Sequence, residues 1–413
     1  MKTKITFIII NILSSFILFA RSILFLKYLP AADLGFIMLF QAVIAMMDLA
    51  QIGLLNGGFR IFAVDSNVNH FKAANNSNVT YIILITGILL LFSFFSTSIL
   101  HIRLEIFILA IFAGGFYLLR NWFTNILIAR QKLRQVNILN LITAFASAFL
   151  AILIFEYGLI GAVISISSTY IVFVAAFLVL HKEYIPNKLK IDKSTFKLML
   201  YYGFIPYLSG IAVLINNQID RFFIAGVISL EALGQFYLAV TFMTVFNMLP
   251  TNLNSLFGPQ AINSYSNMKW KNTFRTTKIF FWLISGYTIL SALVLLFFGE
   301  IVVRYIFPDK VEQLKYLFIM LPGIMALTLA QPFSFILYVA LNLKAILWSN
   351  ILSLLFYLGL LTILLFYQKF NIENVAIGKS LQGVSVLFFL VFATALNWGK
   401  IISFHFISTK ENN

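Results

Sequence analysis

Long, uninterrupted apolar runs constrain this chain more than any other feature. Twelve such runs, separated by short polar breaks, extend over almost all of the 413 residues. A helix rises about 1.5 Å per residue, so about 20 apolar residues cross the roughly 30 Å of bilayer hydrocarbon. Each run therefore predicts a transmembrane helix. The predicted spans lie near residues 5–27, 34–58, 78–100, 104–128, 136–156, 158–180, 198–222, 231–257, 277–299, 314–341, 344–366 and 374–397.

The composition leaves little room for anything besides these helices. Hydrophobic residues make up 61% of the chain and charged residues 10%, whereas soluble domains carry about 25% charged residues. The apolar runs are continuous, which argues against the alternating strands of a transmembrane barrel. The longest polar breaks, near residues 60–77, 181–197 and 258–278, are too short to form a core of their own. We therefore predict an all-α integral membrane protein.

The distribution of positive charge predicts the orientation of the helices. With twelve spans, 19 of the 29 Lys and Arg residues fall at the termini and in the even-numbered loops. Positively charged loops stay in the cytoplasm, so we expect both termini to be cytoplasmic. This asymmetry accounts for the net charge of +15 through topology and contact with anionic lipid. We expect no nucleic-acid partner.

Motifs for bond chemistry or metal binding are missing from the sequence. The chain has no cysteine, and its four histidines are widely separated, so we predict no metal site. The short match to a nucleotide-binding loop at 378–380 lacks the leading glycine, because residue 373 is Glu. We therefore expect neither a cofactor nor an enzymatic activity.

Two stretches of the chain resemble each other and indicate an internal repeat. The first begins at Arg21 and the second at Arg221. In each, the Arg near the end of a span is followed by a short loop with an acid, a Gly at 35 or 234, and a long apolar run. Parallel repeats of this kind are a recurrent plan of transporters, although two hairpins can also look alike by chance. The repeat predicts two six-helix lobes, 1–190 and 191–413.

The second stretch also carries a family resemblance. LMLYYGFIPYLSGIAVLINNQIDRFFIAGVISLEALGQFYLAV combines a Gly-x-x-Pro at 203–206, Asp220-Arg221, and Gly234 followed by Tyr237 and Ala239. It resembles the polysaccharide exporters of the multidrug/oligosaccharidyl-lipid/polysaccharide (MOP) superfamily, and with twelve spans the O-antigen flippases of the Wzx type. YLPAADLGFIMLFQAV, in the first hairpin, is similar to the same family. The resemblance implies a MATE-like fold and a place in the bacterial inner membrane.

Ionisable residues within the spans are the candidate functional residues. Each costs roughly 2.5–3.5 kcal/mol at a helix centre, so such residues are usually functional. They are Arg21, Asp48, Arg120, Asp220, Arg221 and Lys379. Arg21 and Arg120 lie on polar helix faces, which favours a central cavity over structural pairing. Arg221 repeats Arg21 in the second lobe, which favours the same cavity over an interfacial position.

The other three residues have more than one interpretation. Asp48 is either an ion-coupling site or the structural partner of an arginine. Lys379 either faces the cavity or extends to the membrane interface. Asp220 points about 100° away from Arg221 on a helix, so the two residues need different partners, and we expect Asp220 to anchor one helix to another.

Arginines in a cavity favour an anionic ligand, because guanidinium binds phosphate oxygens in bidentate geometry. The resemblance implies that the ligand is a polyprenyl-pyrophosphate-linked oligosaccharide that is flipped between leaflets by alternating access, with the polysaccharide polymerase machinery as a further partner. Asn217, Tyr117, Trp122 and Asn247 are candidate sugar contacts, although buried aromatic residues more often serve packing. The alternatives are a multidrug or cation exporter of the same superfamily and a membrane-embedded glycan ligase or transferase.

Overall fold

The computed structural model describes residues 2–64, 68–100, 104–340 and 342–410, and the regular elements within them are helical. In these ranges eleven helices are long and apolar enough to cross a membrane. A further 30-residue helix, Tyr237–Ser266, occupies the place of the eighth predicted span. The prediction of an all-α, multi-pass membrane protein is confirmed.

The chain folds into two compact units, Met1–Tyr237 and Leu238–Asn413. The packing boundary thus comes after the seventh predicted span, because that span packs against the second span and its continuation. The lobe boundary at 190 and 191 describes the sequence repeat, and it stays a prediction.

The described residues of the first unit form ten α-helices. In this unit the helix Leu133–Leu150 packs against Lys2–Tyr28 and Leu159–Leu180. The helix Leu104–Ala129 packs against Ala31–Met46, Val68–Leu100 and Leu159–Leu180. Short turns of 3-10 helix lie at Met47–Gln51, Ala151–Leu153 and Lys182–Tyr184, and a π-helical turn lies at Ile224–Ile228. The helices are α1 (Lys2–Tyr28), α2 (Ala31–Met46), α3 (Leu54–Val64), α4 (Val68–Leu100), α5 (Leu104–Ala129), α6 (Leu133–Leu150), α7 (Ile154–Tyr157), α8 (Leu159–Leu180), α9 (Lys193–Phe223) and α10 (Leu230–Gln235).

The second span was predicted near residues 34–58, and the structure gives a candidate span Ala31–Gln51 that is followed by a break in the helix. After α2 the chain passes through the 3-10 turn Met47–Gln51 and then takes left-handed backbone angles at Ile52 (φ 45°) and Gly53 (φ 94°) before α3 begins. Glycine adopts these angles without steric cost, which explains why the break ends at Gly53.

Two tyrosines satisfy the backbone at this break. The Tyr207 hydroxyl donates to the Leu49 carbonyl over 2.6 Å, and the Tyr81 hydroxyl donates to the Ala50 carbonyl over 2.7 Å. Leu49 and Ala50 belong to the candidate membrane span Ala31–Gln51, and hydrocarbon would offer their carbonyl groups no hydrogen bonds. The break is thus a built feature of the first unit, fixed from α9 and α4.

The matched glycines of the repeat meet each other in the first unit. A Cβ atom on Gly35 would lie 1.7 Å from the Leu230 carbonyl oxygen, and one on Gly234 would lie 1.7 Å from the Ala31 carbonyl oxygen. The start of α2 therefore crosses α10 at backbone contact. The reciprocity is what two copies related by a two-fold axis produce.

A second glycine crossing joins α3 to α9. A Cβ atom on Gly203 would lie 1.9 Å from the Gly53 carbonyl oxygen, and one on Gly57 would lie 1.8 Å from the Met199 carbonyl oxygen. Backbones approach this closely only where side chains are absent, as in other membrane helix pairs. The seventh span is thereby held against the broken second span at two places.

In the second unit the helices α13 (Leu314–Val339) and α15 (Ile372–Lys410) pack along each other. Within it α13 crosses α15 at Gly323 and Gly383, where a Cβ atom on Gly383 would lie 2.2 Å from the Gly323 carbonyl oxygen. The Gly323 N–H donates to the Ser380 hydroxyl over 3.0 Å at the same crossing. The helices are α11 (Tyr237–Ser266), α12 (Trp270–Ile306), α13 (Leu314–Val339), α14 (Leu343–Phe366) and α15 (Ile372–Lys410), with a 3-10 turn at Pro308–Gln313.

Candidate anion-binding site

Arg21, on α1, is held by hydroxyl groups of two neighbouring helices. Its Nη1 atom donates to Ser147 Oγ on α6 over 2.6 Å and to Thr169 Oγ1 on α8 over 3.1 Å. The guanidinium also lies 5.7 Å from the ring centre of Phe25, one turn further along α1. All of these contacts are with neutral groups, so they leave the charge of Arg21 uncompensated.

Arg120, on α5, lies against aromatic rings of the same helix α8. Its guanidinium carbon is 5.8 Å from the ring centre of Tyr170 and 5.5 Å from that of Phe173. Tyr170 also lies within electrostatic range of Arg21. One short stretch of α8 thus contacts both arginines.

Arg221, near the end of α9, approaches the same region from the repeat. Its Nη1 atom donates to the Met38 carbonyl on α2 over 3.5 Å. The phenol of Tyr237 interacts electrostatically with both Arg21 and Arg221. The two repeat-related arginines thus share one electrostatic partner, and their place in a common cavity stays a prediction.

Negative charge is scarce around these three arginines. Within the described ranges none of them has a carboxylate oxygen inside the 4.0 Å salt-bridge distance. Asp220 is 3% exposed and interacts electrostatically with its neighbour Arg221. Arg21 and Arg120 have no carboxylate among their described electrostatic partners, and a buried charge without a partner is costly in an apolar surrounding. This part of the first unit therefore has the electrostatic character of a site for an anion with several oxygen atoms.

Asp48 lies at the helix break and is tied to a tyrosine rather than to an arginine. The Tyr117 hydroxyl donates to Asp48 Oδ2 over 2.7 Å, and Asn121 is its second side-chain partner. The Tyr117 ring meets the Tyr170 ring edge-on, with centres 5.5 Å apart. The side chains of Tyr117 and Tyr170 thus connect Asp48 to Arg120.

The four predicted sugar contacts occupy different surroundings. Tyr117 is engaged with Asp48, and Asn217 is exposed on α9. In the second unit, the Asn247 amide donates over 3.5 Å to the Met243 carbonyl one turn earlier. Trp122 is fully buried, and its indole N–H donates to Asn75 Oδ1 over 2.9 Å. This structure gives Trp122 a packing role, since its ring presents no surface to a sugar.

Lys379 lies inside the second unit. Its side chain is 4% exposed, and Nζ is 5.3 Å from the ring centre of Tyr357. Gln382, one turn later on α15, is 1% exposed, and its amide atoms have no hydrogen-bond partner among the described residues. The alternative in which Lys379 extends to the membrane interface does not fit this burial.

Sequence reasoning missed the hydroxyl groups that hold Arg21. Ser147 Oγ donates to the Ser165 carbonyl and Ser165 Oγ donates to the Ser147 carbonyl, each over 2.7 Å. Thr169 Oγ1 donates to Ser147 Oγ over 3.1 Å. The signal was present in the run SISSTY at 165–170, which interrupts an otherwise apolar span.

Solved structures with the same fold are MOP-superfamily transporters. The inward-closed structure of the lipid II flippase MurJ has a TM-score of 0.76 at 18% identity, over 95% of this chain and 87% of that one. An inward-facing multidrug-resistance MATE transporter of the MOP superfamily has a TM-score of 0.74 at 12% identity, over 94% of this chain and 95% of that one.

A third similar structure is a MOP-superfamily transporter from Pyrococcus furiosus, with a TM-score of 0.64 at 12% identity over 96% of both chains. Neither the known protein-family models nor the curated protein sequences give a match. At these identities the similarity establishes the fold, which is that of the MOP-superfamily transporters, including the predicted MATE-like arrangement.

Proposed function

We propose that this protein is a flippase that moves a polyprenyl-pyrophosphate-linked oligosaccharide, of the O-antigen or a similar surface polysaccharide, across the bacterial inner membrane by alternating access. The substrate would come from the cytoplasmic leaflet, and its polymer would be assembled by polysaccharide polymerase machinery on the outer side. The fold of MOP-superfamily transporters supports the transport class.

The observation that carries the proposal is the group of three arginines in the first unit. Arg21, Arg120 and Arg221 contact hydroxyls, rings and a backbone carbonyl, and within the described ranges no carboxylate forms a salt bridge with them. A pyrophosphate would supply the missing negative charge. Guanidinium suits this ligand because it stays charged and grips two phosphate oxygens at once.

The membrane potential is a sufficient driving force for such a ligand. When the inside of the cell is negative, moving a group of charge about −2 outward is favourable by roughly 4 to 5 kcal/mol per 100 mV. We propose Asp48 as the first candidate for an additional coupled proton or cation, because it is an acid at a helix break in a membrane span.

Cation export is the second candidate function, and only Asp48 favours it. An exporter of organic cations needs negative charge where the ligand binds, whereas the described groups around Tyr170 and Tyr237 are predominantly arginines. A glycan ligase or transferase usually carries its catalytic acids or bases on a sizeable extramembrane loop, whereas the longest predicted outer loop, near residues 300–314, is short.

The test is a strain that lacks the gene, complemented with variants of the chain. We expect lipid-linked repeat units to accumulate on the cytoplasmic leaflet of the deletion strain, and Arg21→Ala and Arg221→Ala to leave that defect uncorrected at normal protein levels. Arg304→Ala is the matched control, because Arg304 is exposed and forms an ion pair with Glu300, over 2.6 Å. Full export by the double variant, or drug sensitivity without lipid-linked intermediates, would refute the proposal.

A further inference from the structure

We propose that Arg21 binds the diphosphate through the Nε–Nη2 edge of its guanidinium, and that Ser147 and Thr169 are positioning residues that fix this edge. The inference rests on the proposed function and deepens it. It assigns the ligand chemistry to one side of one side chain, and it gives a role to two hydroxyls that no sequence motif marks.

The hydrogen-bond inventory of Arg21 identifies the available edge. A guanidinium has five N–H donors, two of them on Nη1. Both donors of Nη1 are used, by Ser147 Oγ at 2.6 Å and by Thr169 Oγ1 at 3.1 Å. Nε is buried and has no hydrogen-bond partner within the described ranges. The side of the guanidinium that points away from Nη1 is therefore the side left for a ligand.

The two hydroxyls are themselves fixed, so they can set a direction. Ser147 Oγ donates its only proton to the Ser165 carbonyl, and it accepts from Arg21 and from Thr169. Thr169 Oγ1 donates its proton to Ser147 and accepts from Arg21. With these bonds in place, both hydroxyl oxygens accept from Arg21, which leaves Arg21 as the donor. The network cannot reverse without breaking the contact between α6 and α8.

The free edge matches the geometry of a phosphate group. Nε–H and one Nη2–H point in parallel and meet two oxygens of a phosphate or carboxylate, whereas a lysine ammonium offers one compact point of charge. Arg120 differs in this respect, because its guanidinium lies over the rings of Tyr170 and Phe173. Arg21 is thus the residue at which replacement by lysine should be least tolerated.

The experiment measures binding of farnesyl diphosphate to the full chain in nanodiscs, with farnesol as the uncharged comparison. Thr169→Val removes only the hydroxyl, and Thr169→Ser restores it. Charge-assisted hydrogen bonds predict that Thr169→Val and Ser147→Ala each weaken diphosphate binding about 10-fold or more, and that Arg21→Lys weakens it as much as Arg21→Ala. We expect Thr169→Ser to recover most of the affinity, and farnesol binding to be unchanged throughout.

The control for helix packing is Ser165→Ala. This change removes the hydrogen bond from Ser165 Oγ to the Ser147 carbonyl but leaves both bonds to Arg21 in place. Near wild-type affinity of Ser165→Ala, with a thermal unfolding midpoint like that of Ser147→Ala, supports the inference. Equal losses in Ser165→Ala and Ser147→Ala overturn it, because the hydroxyls would then act through packing.

The outcomes separate the inference from the proposed function. If Arg21→Ala loses binding while Arg21→Lys and Thr169→Val bind like the wild type, the inference fails and the proposed function stands. If the wild-type chain binds farnesyl diphosphate no better than farnesol, the proposed function fails and takes the inference with it.

Discussion

The Tyr117 hydroxyl donates a hydrogen bond to Asp48 over 2.7 Å, and it thereby holds an acidic side chain at the break in the second membrane span. The same tyrosine ring meets Tyr170, which contacts Arg120. A change in the charge of Asp48 would therefore alter its hydrogen bond with Tyr117, and through Tyr117 the packing of Tyr170 against Arg120. This connection makes the role of Asp48 open to test.

Replacing Asp48 by Asn should separate its charge from its hydrogen bond. The Asn side-chain oxygen still accepts from Tyr117, so we expect normal insertion and folding. If Asp48 carries a coupled ion, transport by Asp48→Asn in membrane vesicles should no longer respond to an imposed pH or Na⁺ gradient. Glu105→Gln is the control, because Glu105 is exposed at the start of the same helix as Tyr117. An unaltered gradient response in Asp48→Asn would exclude the coupling role.

The glycine crossing between α2 and α10 should tolerate no side chain. Gly35→Ala and Gly234→Ala would each place a Cβ atom 1.7 Å from a backbone carbonyl oxygen, so the helices must separate. We expect both variants to lower the thermal unfolding midpoint and to lose transport. Gly286→Ala is the matched control, because no atom lies within 4 Å of its Cβ position. Alanine there should be neutral or stabilise the helix by up to about 1 kcal/mol. Wild-type behaviour of Gly234→Ala would show that the crossing is not required.

The cap of α9 should make stability depend on pH below about 4. Asp192 accepts hydrogen bonds from the Ser194 hydroxyl and from the Thr195 hydroxyl and N–H, and these bonds lower the pKa of its carboxyl to about 2. A lowered pKa means that the ionised form stabilises the fold above the unfolded value, and that this contribution is lost as pH falls towards 2.

The corresponding variant is Asp192→Ala. Loss of an N-cap costs about 0.5–2 kcal/mol, so we expect the variant to unfold at a lower temperature at pH 7. The difference from the wild type should shrink between about pH 4 and pH 2, as the wild-type carboxyl becomes protonated. Asp192→Asn, which can still cap the helix, should remain closer to the wild type at pH 7. A pH-independent difference between Asp192→Ala and the wild type would contradict the capping account.

Lys379 offers a test of the second unit. Met resembles Lys in shape without its charge, so Lys379→Met removes the charge and keeps most of the packing of this buried side chain. If Lys379 binds the anionic substrate, complementation of the deletion strain should fall. Lys315→Met is the matched control, since Lys315 also lies over a tyrosine ring, at 5.0 Å, but is exposed. Undiminished export by Lys379→Met would remove this residue from the predicted site.

The repeat was the most informative feature of the sequence, because it matched residues that the fold then placed together. Gly35 and Gly234 lie at one helix crossing, and Arg21 and Arg221 both interact electrostatically with Tyr237. The break in the second span escaped prediction, since the run around residues 47–53 is apolar enough for a helix and only its backbone angles reveal the turn. Trp122 was a candidate sugar contact because of its aromatic ring. Its burial depends on the helices packed around it, which the sequence does not show.

The sequence by itself determined that this is a membrane protein and that its fold is all-helical, because its apolar runs are long enough for membrane-spanning helices and leave few residues for other structure. It also determined which charges enter the membrane. The tertiary structure alone decided the partners of those charges, such as Ser147 and Thr169 for Arg21 and Tyr117 for Asp48. The physical reason is that a helix face is local in sequence, whereas a hydrogen bond between helices depends on packing that joins residues more than a hundred positions apart.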